Sequence, residues 1–491
     1  MKLGFDSEKY LEEQSQAILE RAGKFDDKLY LEFGGKLICD FHAARILPGF
    51  DPNAKIKLLQ KLKDKVDIII CIFAGDIEQR KMRADFGVAY DTDTMRTIDD
   101  LRDWGLDVKA VVVTRYQNQP AVRTFMNKLS RRGIKVYTHR PIEGYPTEVE
   151  TIVSSRGYGA NAYIETDRPI VVVTGPGPNS GKMATCLSQV YHEFQRGIRA
   201  GYAKFETFPV WNLPLNHPVN IAYEAATADL ADVNMVDPFH LEAYGETVVN
   251  YNRDVEIFPV LEAMFKKIYG DSPYKSPTDM GVNMNGFCIF DDDACCEASK
   301  QEIIRRYYAA ACGVRRGTSE PQELRKIELI MNSLGLTAAD RPVVGAALQR
   351  AQETGAPAVA LELADGSIVT GKTSSLLGAS SACLLNALKA LAGIDKKLPL
   401  IAPGVIEPIQ HLKVEHLGNH NPRLHTDELL IALSICAVTN PMAGYAIDQL
   451  GKLRGCEAHS SVILSHVDED LFKKLGVNIT FEPKYQAKKL F

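Results

Sequence analysis

Val171-Val-Val-Thr-Gly-Pro-Gly-Pro-Asn-Ser-Gly-Lys-Met183 passes from a β-branched run through a turn of glycine, proline and asparagine into a helix-forming segment that extends to about Gln195. Strand, glycine-rich turn and helix in that order suit phosphate. Glycines let backbone N–H groups converge on an anion, the helix N-terminus adds partial positive charge, and Lys182 reaches the outer phosphates. Gly175, Gly177, Asn179, Ser180, Gly181 and Lys182 are therefore the expected phosphate-binding residues. Gly175 and Gly181 are separated by five residues, where the usual phosphate loop has four. Met183 stands where a magnesium-holding hydroxyl is usual, which leaves Thr185 or a later carboxylate for that role.

Similar short apolar runs precede the loop at Val66 to Phe73, Val108 to Thr114 and Ile134 to Thr138, each followed by enough charged chain for a helix. That alternation predicts an α/β domain with a buried parallel sheet. Gly34-Gly35, between Leu29–Phe33 and Lys36–Asp40, reads as a hairpin turn. From about Asp232 prolines interrupt the chain and helical segments take over, until a second α/β pattern begins near Ala356. The expected division is a P-loop-like α/β domain over 1–231, a mostly helical middle domain over 232–350, and a C-terminal α/β domain over 351–491.

Gly366-Ser-Ile-Val-Thr-Gly-Lys-Thr373 fits the phosphate-loop pattern letter for letter. Its β-branched centre follows Asp365-Gly366, so a hairpin is the better reading. The hairpin and the small-residue helix after it, from about Ser374 to Leu391, resemble the opening of the cytidine-deaminase-like fold. The helix here carries Ser381-Ala-Cys383 with no glutamate following, and no later P-C-x-x-C is present, so the resemblance implies a zinc-free fold and not deamination.

The loop with its five-residue spacing is similar to that of the dethiobiotin-synthetase branch of P-loop proteins, in which a second lysine follows on the next strand. Gly201-Tyr-Ala-Lys204 stands at the matching distance. The resemblance implies that Lys182 serves phosphate and Lys204 the substrate anion or the transferring phosphoryl group. Over nearly its full length the chain resembles a bacterial uncharacterised protein family, some of whose members carry the label ATP-dependent zinc protease. Gly177-Pro-Asn-Ser-Gly-Lys-Met-Ala-Thr185, Phe208-Pro-Val-Trp-Asn-Leu-Pro214, Asn234 to Tyr244 and Glu457-Ala-His-Ser-Ser461 carry that resemblance. It implies a multidomain cytoplasmic protein and supplies no reaction.

Asp229, Asp232 and Asp237 are the carboxylates expected to hold magnesium, and Asp237 with His240 lies on one turn suited to proton exchange. A cap before Pro238 is the competing reading of Asp237. Six of the eleven histidines fall between His411 and His466. His416, His420 and His425, with Arg423 among them, are the expected substrate pocket, while a metal site and a solvated loop stay open as readings. No glutamate follows the first histidine in the pattern a zinc protease helix requires.

The 491 residues carry 57 Lys+Arg against 62 Asp+Glu, a net charge of -5, so no global basic field invites nucleic acid or anionic lipid. The longest apolar run, Leu429 to Val438, is too short to span a membrane. Ten scattered cysteines without a C-x-x-C pair read as buried thiols in a reducing cytoplasm and speak against zinc. The expectation is a nucleotide-dependent enzyme, ligase or kinase-like, using ATP or a relative with Mg on a small anionic metabolite by phosphoryl transfer or carboxylate activation. A sensor or scaffold that binds without turnover, and a metal-dependent hydrolase built on the histidine cluster, are the alternatives. The expected partner is a small-molecule substrate, with no nucleic acid and no membrane, and a homo-oligomer left open.

Overall fold

A computed structural model describes residues 2–82, 87–230 and 232–486. The chain gathers into two compact units, Lys2–Ser299 and Lys300–Phe491. The first is built on seven parallel strands: β1 (Leu29–Phe33), β2 (Val66–Phe73), β3 (Val108–Thr114), β4 (Val136–Thr138), β5 (Ile170–Thr174), β6 (Gly201–Phe205) and β9 (Gly281–Val282). A small antiparallel ribbon, β7 (Asn234–Val236) with β8 (Val249–Tyr251), lies between β6 and β9 in the chain. The sheet order is β4-β3-β2-β5-β1-β6-β9.

The central strands are apolar on both faces because helices cover both. Tyr30, Cys71, Val112, Val171, Val173 and Tyr202 share one core with Cys186, Leu187 and Val190 of the helix Lys182–Gln195. Phe258, Leu261 and Phe265 of the helix Asn252–Tyr269 belong to the same core. Part of the stretch expected as a separate middle domain thus packs with the first sheet. Fully burying one such side chain stabilises by about 1.5–3 kcal/mol, so this face alone supplies much of the unit's driving force.

The hairpin expected at Gly34-Gly35 is corrected by the structure: β1 pairs in parallel with β5 and β6, and residues 36–40 form no strand. Gly35 takes φ +66, and the chain turns into a helix at Phe41–Ile46 capped by Asp40. Lys55, buried, bonds the Gly34 carbonyl at 3.2 Å and the Asp40 carboxylate at 3.0 Å, holding that turn closed. Two glycines permitted a hairpin, and a buried lysine made something else of them.

The second unit carries the sheet β11-β10-β12-β13, from β10 (Ala358–Glu362), β11 (Ile368–Lys372), β12 (Glu457–Ser460) and β13 (Asn478–Phe481). β10 and β11 are the antiparallel hairpin expected from Asp365-Gly366. The helix Ala379–Leu391 packs so closely on it that a Cβ at Gly371 would lie 2.1 Å from the Cys383 amide nitrogen. Lys372 sits exposed at the end of a regular strand, with no loop wrapped before it.

Candidate functional site at the carboxyl edge of the first sheet

β2 and β5 lie side by side, yet their onward connections diverge, from β2 to β3 on one side and from β5 across β1 to β6 on the other. Such a switch point opens a crevice beyond the strand ends, where ligands of open α/β sheets bind. The Gly175–Lys182 turn falls there, between Thr174 at the end of β5 and the helix Lys182–Gln195.

Its conformation demands its composition. Asn179 (φ +59) and Gly181 (φ +92) are left-handed. A Cβ at Gly175 would lie 2.5 Å from the Cys71 carbonyl oxygen of β2, and one at Gly177 would lie 2.6 Å from the Tyr90 hydroxyl. Thr114 Oγ1 donates to the Ser180 carbonyl at 2.7 Å, and Arg115 donates to the Asn179 carbonyl at 2.6 Å. With those carbonyls turned toward β3, the N–H groups of Gly177, Asn179 and Gly181 donate to no described residue. The Ser180 hydroxyl, on a side chain of a residue only 1% exposed, has no hydrogen-bond partner either. A buried orphan hydroxyl costs about 1–3 kcal/mol unless something satisfies it.

Lys182 is the first residue of its helix, half-buried, and makes no ion pair among the described residues. Thr185 is fully inside and accepts from the Cys71 thiol at 3.4 Å, so its hydroxyl faces the core. Arg115 adds a second cation, its guanidinium 3.4 Å from the Phe73 ring centroid and its backbone at φ +52.

Two strands further along the edge, beyond β1, lies a charged cluster. Lys204, from β6, is ion-paired with Asp254 and stands 3.8 Å from Glu206. The Tyr202 hydroxyl donates to Glu32, from β1, at 2.8 Å. Burial, with the Asp254 carboxylate beside it, pushes the Glu206 carboxyl up to about 8. Lys204 is held charged above its ordinary range: Asp254, Glu206 and Glu32 outweigh the desolvation that is the largest single influence on it. The ammonium expected to meet a substrate anion therefore already has carboxylate partners.

The expected magnesium carboxylates do not come together. Asp237 is fully buried and caps the helix Pro238–Tyr244, accepting from the amides of Phe239 and His240 at 3.0 Å and from Thr278 at 3.2 Å (amide) and 2.6 Å (hydroxyl). Asp232 pairs with Arg253, and Asp229 lies exposed in a short 3-10 turn. His240 bonds the Ser276 hydroxyl at 2.9 Å.

In the second unit, His416 and His420 are exposed on and after the π-helical turn Leu412–His416. Arg423 donates to the Ser374 carbonyl at 2.7 Å. His425 bonds Asp468 at 3.1 Å, and that bond raises its pKa. Pairing holds His425 at the N-cap of the helix Thr426–Ala437.

Arg115, Glu32, Glu206 and Asp254 escaped sequence reasoning. The usable signal for Arg115 was its place directly after β3, since catalytic groups of such sheets collect at carboxyl ends. Asp254 gives no such signal, coming from a helix fifty residues beyond Lys204.

Residues 3–335 match the family described as domain of unknown function DUF1846, N-terminal, and residues 339–491 its C-terminal counterpart. A "UPF0371 protein" of Streptococcus pneumoniae serotype 19F (strain G54) is 57% identical over 490 residues, covering 100% of this chain and 99% of that one. The proteins of the same name from strains JJA and CGSP14 are equally similar over the same span.

Proposed function

The chain belongs to the DUF1846 family, whose description specifies no reaction, and we propose from the geometry of its carboxyl edge that it binds ATP or a related nucleotide and acts with it on a small anionic metabolite. The observation that carries the reading is the turn at the β2/β5 switch point, with glycines where a Cβ would collide, undonated N–H groups and the orphan Ser180 hydroxyl. These are the donors a phosphate chain would satisfy. Lys182 and Arg115 would balance its charge.

The acceptor's place is the Lys204–Glu206–Asp254 cluster. β5 and β6 are separated by β1 alone, hence by roughly 10 Å, about the span from a bound phosphate chain to an acceptor beyond it. In phosphoryl transfer the acceptor oxygen forms a bond to the terminal phosphorus while the bond to the departing diphosphate breaks. The acceptor proton passes to Glu206 in its ionised form, which its raised pKa makes a stronger base than an ordinary carboxylate. In carboxylate activation the attacking oxygen belongs to an already ionised carboxylate, so no proton passes to Glu206 and Lys204 orients the anion. Asp232 and Asp237 engage separate partners, Arg253 for the one and the helix amides with Thr278 for the other.

Lys182→Ala tests this. Nucleotide binding, measured by calorimetric titration, falls by at least about tenfold while the melting temperature hardly moves, because a half-buried helix-start lysine contributes little to the core. Lys372→Ala leaves binding unchanged. Equal affinity in parent and Lys182→Ala overturns the loop assignment; binding intact with no turnover of any metabolite supports a sensor instead.

A further inference from the structure

We propose that His217, Asp292 and Cys296 form a binding site for one zinc-class divalent ion. Among the described residues they are the group of three potential metal ligands whose donor atoms converge. His217 caps the helix Pro218–Ala226; Asp292 and Cys296 stand four residues apart at the start of the helix Asp292–Arg316, and so on one face of it.

The triangle of donor atoms has the dimensions of one face of a zinc tetrahedron. His217 Nε2 lies 3.2 Å from Asp292 Oδ2 and 3.6 Å from Cys296 Sγ, and that sulfur lies 3.7 Å from the same Asp292 oxygen. Zinc bonds of roughly 2.0–2.1 Å to nitrogen and oxygen and roughly 2.3 Å to sulfur, at tetrahedral angles, put the donors roughly 3.3 Å apart for N to O and roughly 3.5 Å apart for either to S. An ion fits by shifts of a few tenths of an ångström, within side-chain freedom.

The donor types agree. Thiolate with imidazole selects zinc over magnesium or calcium, and thiolate plus carboxylate neutralise the two positive charges. The His217 side chain is 10% exposed and fixed, while that of Asp292 is 58% exposed, so the site is reachable from solvent. Three protein ligands leave a fourth position for water or an incoming ligand.

Coordination releases the Cys296 proton to solvent as the metal–sulfur bond forms. It also moves the neutral imidazole's proton from Nε2 to Nδ1, where the Val219 amide now donates at 3.3 Å, so that contact opens. Metal binding and the capping of the Pro218 helix are thereby opposed, and affinity falls as pH drops. The expectation against zinc rested on cysteine spacing, which cannot register a histidine 79 residues from its cysteine.

The full-length chain, stripped by chelator and refilled with zinc against a chromophoric competitor, should bind one equivalent. Cys296→Ser and Asp292→Asn should each weaken it at least about tenfold, whereas Cys39→Ser changes nothing. Cobalt in place of zinc should give intense visible bands of tetrahedral geometry and a near-ultraviolet thiolate charge-transfer band. This last measurement needs only the parent protein and so does not depend on the variants folding. Zinc affinity unchanged in both variants, or a cobalt form without the thiolate band, overturns the site.

Discussion

Glu206 is a carboxylic acid that the fold keeps protonated beyond the ordinary carboxylate range, up to about 8, through burial and the neighbouring Asp254. A proton bound more tightly in the folded than in the unfolded chain stabilises folding at low pH. That contribution is fully present below the unfolded value and is lost as pH rises through the folded one. Glu206→Gln removes the dependence. The parent should therefore lose melting temperature relative to Glu206→Gln as pH rises from about 5 to about 8, with the gap constant above that; a pH-independent gap in thermal scans would contradict the shift. On the proposed function, turnover should drop in the variant without loss of nucleotide binding, because the Gly175–Lys182 turn follows another strand. At this scale the sequence spoke clearly for local groups and poorly for distant ones. The Gly175–Lys182 turn was legible because its residues are contiguous. Lys204 was legible, but not Asp254, which neutralises it from a separate helix. Asp237 was ambiguous between metal ligand and cap until Thr278 appeared beside it.

Strand and helix limits followed the apolar patterning closely where burial is two-sided. β2, β3, β5 and the helix Lys182–Gln195 begin and end where the β-branched runs and the glycine turn imply. The Gly366–Thr373 motif shows why context outranks a letter match: its residues form a hairpin tightly covered by a helix. Glu457-Ala-His-Ser460, a motif without evident role in the sequence, proves to be β12. Its Glu457 pairs with Arg305 at 2.9 Å and Arg341 at 2.5 Å, and His459 bonds Thr480 at 2.8 Å. Arg341, fully buried, also donates to the Ala458 and Asn478 carbonyls at 3.1 and 2.8 Å, clasping β12 to β13. Arg341→Ala leaves a mostly buried carboxylate short of one partner and takes a donor from the Asn478 and Ala458 carbonyls, the latter keeping Thr480 Oγ1 at 3.2 Å, and should cost about 3 kcal/mol in denaturant unfolding. A loss within experimental error would mean that Arg305 alone satisfies Glu457.

Each unit owns a hydrophobic core. One gathers on the seven-stranded sheet around Val171, Cys186 and Phe258, the other on β10 and β12 around Leu361, Leu384 and Leu433. No described helix is long and apolar enough to cross a membrane; the helix Thr426–Ala437 uses the apolar run Leu429–Val438 to bury Leu429, Ala432 and Leu433, leaving Ile431 and Ile435 exposed. Separate cores of this size predict separate cooperative transitions in calorimetry, as multidomain chains depart from two-state behaviour. Arg341→Ala should lower only the transition of the unit that begins at Lys300. A nucleotide that binds the Gly175–Lys182 turn stabilises only the folded form of the other unit. At a hundredfold excess over its dissociation constant it contributes about 2.7 kcal/mol, enough to raise that transition by about 4 °C. The two perturbations then move different peaks. A single transition that responds to both would show that the units unfold as one, and a nucleotide that raises the Lys300–Phe491 peak instead would place phosphate recognition in the wrong half of the chain.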